Sequence, residues 1–292
     1  MKELGNGLNE LKSVELDILK SFVDCCQQLN LHYYLMDGTM LGAVRHKGFI
    51  PWDDDIDVGM MRKDYDVFIH NAPKFLPPYY FLQTIESDQE YLNNFAKIRD
   101  SRTTFIESSQ KERNINHGVF IDIFPLDFFP EKKPQQFLFK LKNRLLSLRI
   151  RKEYTLPNEL RKSPQKERIQ NILCKILCLV YPDVKKALER RDRLLKSVKS
   201  SQLICNLCGG YGYKAIVPYS WFSDISLCRF EDLDVSVPIG FKEYLEAIYG
   251  DYMALPPKDK RTPHHYAELI DVSKSYKYFK IKGERINEST NT

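Results

Sequence analysis

Residues 48–60 read GFIPWDDDIDVGM, four aspartates within five positions running straight into an apolar tail. Neighbouring carboxylates repel, and each loses hydration where it meets apolar surface. A chain that keeps this segment must turn the charges to water or converge them on something that neutralises them. The tail favours convergence. In a strand the side chains alternate, so Asp53, Asp55 and Asp57 share one face, Ile56 and Val58 face the core, and Asp54 points away. Carboxylates converging at a strand end are the oxygen donors a hard divalent cation takes. A calcium loop also begins D-x-D-x-D, but here its sixth position is Val58 instead of glycine and its twelfth is Asp64 instead of glutamate. Mg²⁺ fits better, with Mn²⁺ as an alternative, because a few carboxylates leave coordination positions open to substrate phosphates and water. A solvated acidic turn is the plain alternative.

Two further features belong with the acids. Asp37-Gly38-Thr39 follows a strand pattern (LHYYLM, 31–36) and precedes MLGAVRHKG, which reads as a short helix capped by Thr39 and ending at Gly48. Gly38 permits close approach, and the helix N–H groups with the Thr39 hydroxyl can hold phosphate oxygens. Asp122 stands alone in the apolar strand pattern GVFIDIF, 118–124. A lone buried carboxylate is expensive unless paired or metal-bound, so Asp122 is the natural third ligand, with a buried ion pair or helix cap as its other use.

The rest of the chain sets these motifs in an α+β order. A helix is expected over 8–30, another from 62, then strands at 79–85, 95–99, 103–107 and 118–124. Basic helices follow at about 134–154, 165–181 and 183–200, then strands at 214–218 and 229–238, and a helix closing at Gly250. The pieces are a core over 1–130, a basic helical insertion over 131–205, a C-terminal part over 206–280 that completes the site, and a polar tail over 281–292.

Charge is segregated. Lys132 to Lys199 hold 20 Lys/Arg against 6 Asp/Glu, a local +14, while the net charge of +5 leaves −9 for the remainder. Apolar residues such as Phe137, Leu138 and Leu141 interleave with these cations. A solvated basic face is the plain reading; peripheral contact with an anionic inner leaflet is the sharper one. No nucleic-acid motif accompanies the cations, so nucleic acid is not expected as a partner. No secretory signal or membrane span is expected, and seven cysteines with one isolated C-x-x-C (Cys205, Cys208) suit a reducing, cytoplasmic setting better than zinc.

The string YYLMDGTMLGAVRHKGFIPWDDDIDVGMMRKDYDVF resembles the LicD family, which includes the fukutin-related proteins. Shorter matches continue in KIRDSRTTFIE, GVFIDIFPLD and FEDLDVSVPIGFKEYLEAIYGDYMALPPKDKRTPHH, covering about 30–127 and 228–265; the basic helices match no motif. The resemblance implies a nucleotidyltransferase core of the DNA polymerase beta type, a mixed sheet to which the basic helical region is added. It implies a phosphotransferase moving a phospho-alcohol, phosphocholine first, from a CDP-linked donor to a sugar hydroxyl of a cell-surface glycan or teichoic acid precursor, one that can be lipid-linked. CDP-ribitol and CDP-glycerol are rival donors. An NTP-dependent nucleotidyltransferase releasing pyrophosphate, or a metal-binding adaptor without catalysis, are the alternatives. By position, Asp55, Asp57 and Asp122 are the metal-binding and catalytic residues and Asp53 supports them. Gly38, Thr39, Arg45, Lys97, Arg99, His264 and His265 are the candidate substrate contacts, with Arg45, Lys97 and Arg99 as phosphate clamps.

Overall fold

The computed structural model describes residues 5–154, 174–263 and 265–279. The chain opens with α1 (Gly5–Leu29), whose Leu11, Ile18, Phe22 and Cys26 bury one face. Asn30 leaves the helix with φ 53°, and β1 (Tyr34–Leu35), α2 (Asp37–His46), β2 (Asp57–Met61) and α3 (Arg62–Asn71) follow. Next come β3 (Tyr80–Gln83), β4 (Ala96–Asp100), β5 (Thr104–Glu107) and β6 (Val119–Phe128). The basic region supplies α4 (Lys133–Arg151), helical residues over 174–180 (α5) and α6 (Val184–Leu195). The return is β7 (Leu203–Cys205), β8 (Ile216–Pro218), the hairpin β9 (Ile225–Phe230) and β10 (Leu233–Pro238), α7 (Phe241–Tyr249) and β11 (Ala267–Asp271).

Among the described residues, seven strands form a mixed sheet in the order β1-β2-β6-β4-β3, extended at the far half of β6 by β7 and then β8, while β9 with β10 and β5 with β11 form separate pairs. Strand β6 is its spine. Nine of its ten residues are buried because β2 and β4 flank its first half and β7 its second. Among these pairs only β2 with β6 is parallel. Helix α1 packs against β4 and β6, and its apolar face merges with the sheet and α7 in the main core. A smaller core of Leu92, Leu146, Ile150, Ala187 and Leu188 fixes α4 and α6 to the loop before β4.

The α+β expectation holds, with local differences. The strand expected over DDIDVGMM, 54–61, starts only at Asp57, so the expected alternation does not run through the acids before it. Its neighbours explain this: β1 pairs only with Val58 and Gly59, and β6 meets β2 first at Asp122. Helix α2 ends at His46 through Lys47 at φ 62°, short of Gly48, and Met36 rather than Thr39 occupies its cap. The single strand expected over 229–238 is a hairpin that reverses at Glu231, φ 52°. The helix expected to close at Gly250 does so, with φ 73° there. The expected polar tail and residues 165–173 of the second basic helix lie outside the described residues. All seven cysteines are unbridged, and no group that could hold a metal includes one among the described residues.

Candidate active site

Strand register assembles the first row of the site. Asp57 on β2 lies beside Asp122 on β6, which lies beside Lys97 on β4, so three side chains meet on one face of the sheet. Lys97 Nζ is 2.8 Å from Asp122 Oδ1 and 3.7 Å from Glu107 Oε1, and sits 3.3 Å from the centre of the Phe120 ring. Arg99, two residues on, reaches the same Glu107 at 2.9 Å and donates to Gln83 Oε1 and the Gly118 carbonyl. Burial alone would raise the Glu107 carboxyl, but Lys97 and Arg99 override it and hold it down at about 2.

This corrects the phosphate-clamp reading of Lys97 and Arg99. Their side chains are 2% and 0% exposed and committed to protein carboxylates and carbonyls. Lys97 neutralises Asp122; Arg99 holds Glu107 in place.

The Gly38-Thr39 turn does a different job from the one its sequence suggests. Thr39 Oγ1 accepts the Asp57 N–H at 2.8 Å, so the hydroxyl positions a carboxylate rather than reaching toward a phosphate. At Gly38 an added Cβ would stand 2.8 Å from Asp53 Oδ2, so glycine is what lets the Asp53 carboxylate approach the helix start. Asp37 takes φ 45° and accepts the Tyr244 hydroxyl at 2.6 Å. Burial pushes its carboxyl up to about 6, against the lowering effect of that hydrogen bond. Arg45 donates to the Tyr252 and Ala254 carbonyls at 2.8 and 3.1 Å, which anchors the loop after α7 over the cavity.

Asp53, Asp54 and Asp55 face the end of this row. Asp54 is not directed away: it is 4% exposed and accepts the His265 backbone N–H at 3.2 Å. The His265 ring stands edge-on to Phe105 and Phe120, with Nδ1 3.5 Å from Asp54 and 3.8 Å from Asp55. Burial alone would lower this imidazole, but Asp54, Asp55 and Glu107 override it and hold it up at about 10. His265 is therefore an imidazolium in this setting. It arrives because β11 pairs with β5, which carries the chain just before it to the sheet. His264 lies outside the described residues.

Together these groups wall a cavity of about 810 Å³ that includes Gly38, Arg45, Asp53, Asp55, Asp57, Asp122 and His265. Burial, then the neighbouring acids, push Asp57 well above the ordinary carboxylate range. Burial likewise raises Asp55 to about 7, although His265 opposes it, and raises Asp122 despite Lys97. Buried oxygen donors that cannot all ionise unaided are the donor set a hard cation fits. Among the described residues, the group whose ligand atoms all lie within 4.8 Å of one another is Asp54, Asp55 and His265, which takes in Asp55 of the expected metal triad but neither Asp57 nor Asp122. With no cation bound, the carboxylates hold that imidazole up and it balances them as a positive charge.

Two site residues escaped the sequence reading. Glu107 ends an otherwise apolar strand and gave no signal. Glu15 did: it falls on the apolar stripe of α1, four residues after Leu11 and three before Ile18. It is 1% exposed, and burial, then Asp55 and Asp54, raise its carboxyl well above the ordinary range.

Residues 30–164 match the family model described as LicD/FKTN/FKRP, nucleotidyltransferase domain. The chain is 32% identical over 267 residues to the lipopolysaccharide cholinephosphotransferase LicD of Haemophilus influenzae, covering 89% of this chain and 97% of that protein. An uncharacterized protein of Rickettsia typhi is 32% identical over 127 residues, 43% of this chain and 38% of its own length. One of Rickettsia prowazekii is 32% identical over 113 residues, 38% and 40% of the two chains. No helix among the described residues is long and apolar enough to cross a membrane.

Proposed function

This chain belongs to the LicD family and is a phosphotransferase of that type, and on this premise we propose that it moves phosphocholine from CDP-choline to a sugar hydroxyl of a lipopolysaccharide-type glycan. The observation that carries the reading is the acid-walled cavity itself, where Asp55, Asp57 and Asp122 come from two parallel neighbouring strands and the segment entering them. Its volume of about 810 Å³ suits a nucleotide-sized ligand. The core is of the nucleotidyltransferase type in this reading.

Asp55, Asp57 and Asp122 would hold Mg²⁺, which when bound supplies charge neutralisation for a diphosphate. The residues of the chain do the rest. Thr39 fixes the backbone of Asp57, and Lys97 keeps Asp122 in register with it. The acceptor oxygen forms a bond to the phosphorus that bears choline, the bond from that phosphorus to CMP breaks, and CMP departs with the electron pair. The proton of the attacking hydroxyl passes to Asp122 or to a water in the cavity. His265 holds a positive charge beside Asp54 and Asp55 and so limits the repulsion an incoming phosphate meets. A peripheral approach to the acceptor's membrane suits α4, whose Phe137, Leu138 and Leu141 are 70%, 49% and 43% exposed among cations.

Incubation with Mg²⁺, CDP-choline, CDP-ribitol, CDP-glycerol or CTP, with and without glycan acceptor, tests the proposal. Acceptor-dependent CMP release from CDP-choline is the expected result. Pyrophosphate release from CTP would replace it with a nucleotidyltransferase, and no turnover in any arm would leave a metal-binding adaptor.

A further inference from the structure

A second cavity, of about 440 Å³, adjoins the acid-walled one and shares Phe95, Cys208 and His265 with it. Its other wall belongs to the basic helical region: Ser147, Ile150 and Arg151 of α4 and Arg191 of α6. We propose that this cavity seats the acceptor saccharide, and that the helical region is present to build it. The inference rests on the phosphotransfer reading and assigns that reaction its second substrate site.

The chemistry of the walls separates it from the donor cavity. Phe95, Tyr154 and Tyr266 offer ring faces and edges, the surfaces on which the C–H face of a pyranose packs. Asn93, Ser109 and Ser147 set amides and hydroxyls among them, and such a mixture of apolar wall and few polar groups orients a neutral polyol. The single carboxylate among the described lining residues, Glu107, is held ionised by Lys97 and Arg99, so it accepts hydrogen bonds from hydroxyls but does not invite a cation. A diphosphate with its metal ion belongs among Asp55, Asp57 and Asp122, on the far side of His265 and Phe95.

Position agrees with chemistry. In-line displacement needs the attacking oxygen on the side of phosphorus opposite the leaving group. Two cavities that meet at a shared wall meet that requirement, with the reacting centre at the junction by His265.

The wall is also built to stay put. Arg191 donates to Asn143 Oδ1 at 3.0 Å, Ser147 Oγ at 3.1 Å, Asn94 Oδ1 at 2.9 Å and the Leu207 carbonyl at 2.7 Å. One guanidinium thus ties α4, α6, the loop before β4 and the segment after β7 into a single surface. The Tyr154 hydroxyl bonds Asn93 at 2.6 Å and holds that ring against the same loop. By contrast, the Arg151 side chain at the rim and Ser109 within make no hydrogen bond or ion pair among the described residues. Both can be changed without dismantling the wall.

The test uses saturation-transfer NMR of the full chain with a panel of methyl hexosides and methyl N-acetylhexosaminides, alongside calorimetry of CDP-choline with Mg²⁺. Ser109→Trp fills the cavity, and Arg151→Ala strips its rim while leaving the fold unloaded should the first variant misfold. Wild type is expected to show saccharide signal, reduced at least fivefold in S109W and measurably in R151A, with the CDP-choline Kd within twofold throughout. No saccharide signal from wild type, or signal unchanged in both variants, overturns the inference. Saccharide binding that behaves as expected while CDP-choline fails to bind supports the cavity and refutes the donor assignment.

Discussion

Asp55→Asn should make the metal-free protein more stable, by an amount that grows with pH. The Asp55 side chain is 15% exposed, and burial with Asp53, Asp54 and Asp122 raises its carboxyl from 3.8 to about 7. A carboxyl raised on folding leaves the folded state progressively disfavoured as pH climbs from the unfolded value to the folded one, because only the unfolded chain ionises freely there. Asparagine removes that penalty. At about 1.4 kcal/mol per pH unit of displacement, the gain is below about 1 kcal/mol at pH 4, about 2 kcal/mol at pH 5 and at most about 4 kcal/mol by pH 8, where it levels off. With roughly 2–4 °C of Tm per kcal/mol for a chain of this size class, the ceiling at pH 8 is on the order of 10 °C. Thermal melts in EDTA from pH 4 to 8 read this directly, and the same melts with Mg²⁺ should show wild type gaining stability that D55N does not. A gain that is flat across pH, or an Asn variant less stable than wild type at pH 8 without metal, would refute the reasoning.

Three other outcomes follow from the geometry. Arg62→Met removes the partner of Asp127, which Arg62 contacts at 2.7 and 2.6 Å in a buried bidentate pair, and should cost about 3–5 kcal/mol in urea unfolding; a loss under about 1 kcal/mol would show the pair is not sequestered. Gly38→Ala pushes Asp53 off its seat, and a displacement of this kind lowers turnover on the order of 100-fold with far-UV circular dichroism unchanged. His265→Ala removes an imidazolium held up at about 10, so its stabilisation is complete below the ordinary histidine value near 6.5 and fades as pH rises through 10. In EDTA the destabilisation should therefore be larger at pH 6 than at pH 10, and a reversed order would show the ring is neutral.

The acids were legible because each breaks an apolar pattern that fixes its direction. Asp57 and Asp122 sit in strands whose neighbouring residues are apolar and buried, and parallel pairing leaves them side by side. The face shared by Lys97 and Arg99 was legible for the same reason. What stands opposite was not: Glu107 comes from the next strand, and alternation says nothing about a partner across a turn. The four-aspartate run misled about its own geometry, since period 2 was extended past the residue where β1 and β6 stop supplying ladder partners. The hairpin at Glu231 was hidden because Glu-Asp is not a pair that favours positive φ, and only tertiary pairing imposes it. His265 was singled out, but the reason it matters, the pairing of β11 with β5, is a long-range contact that no local pattern encodes.

That pairing has a consequence for how the protein is made. Asp54 and His265 are 211 positions apart, so on a ribosome adding about 5–20 residues per second the acid cluster emerges roughly 10–40 s before its counter-cation. Over that interval the first half of the sheet can be complete while the carboxylates lack their imidazolium, and the nascent core carries its largest unbalanced charge. The cations available so early are Lys12, which feels Asp53 and Asp54, and Lys97, which pairs with Asp122. The order of synthesis thereby leaves the C-terminal latch to the end, and the acid cluster reaches its full charge balance only as that strand docks.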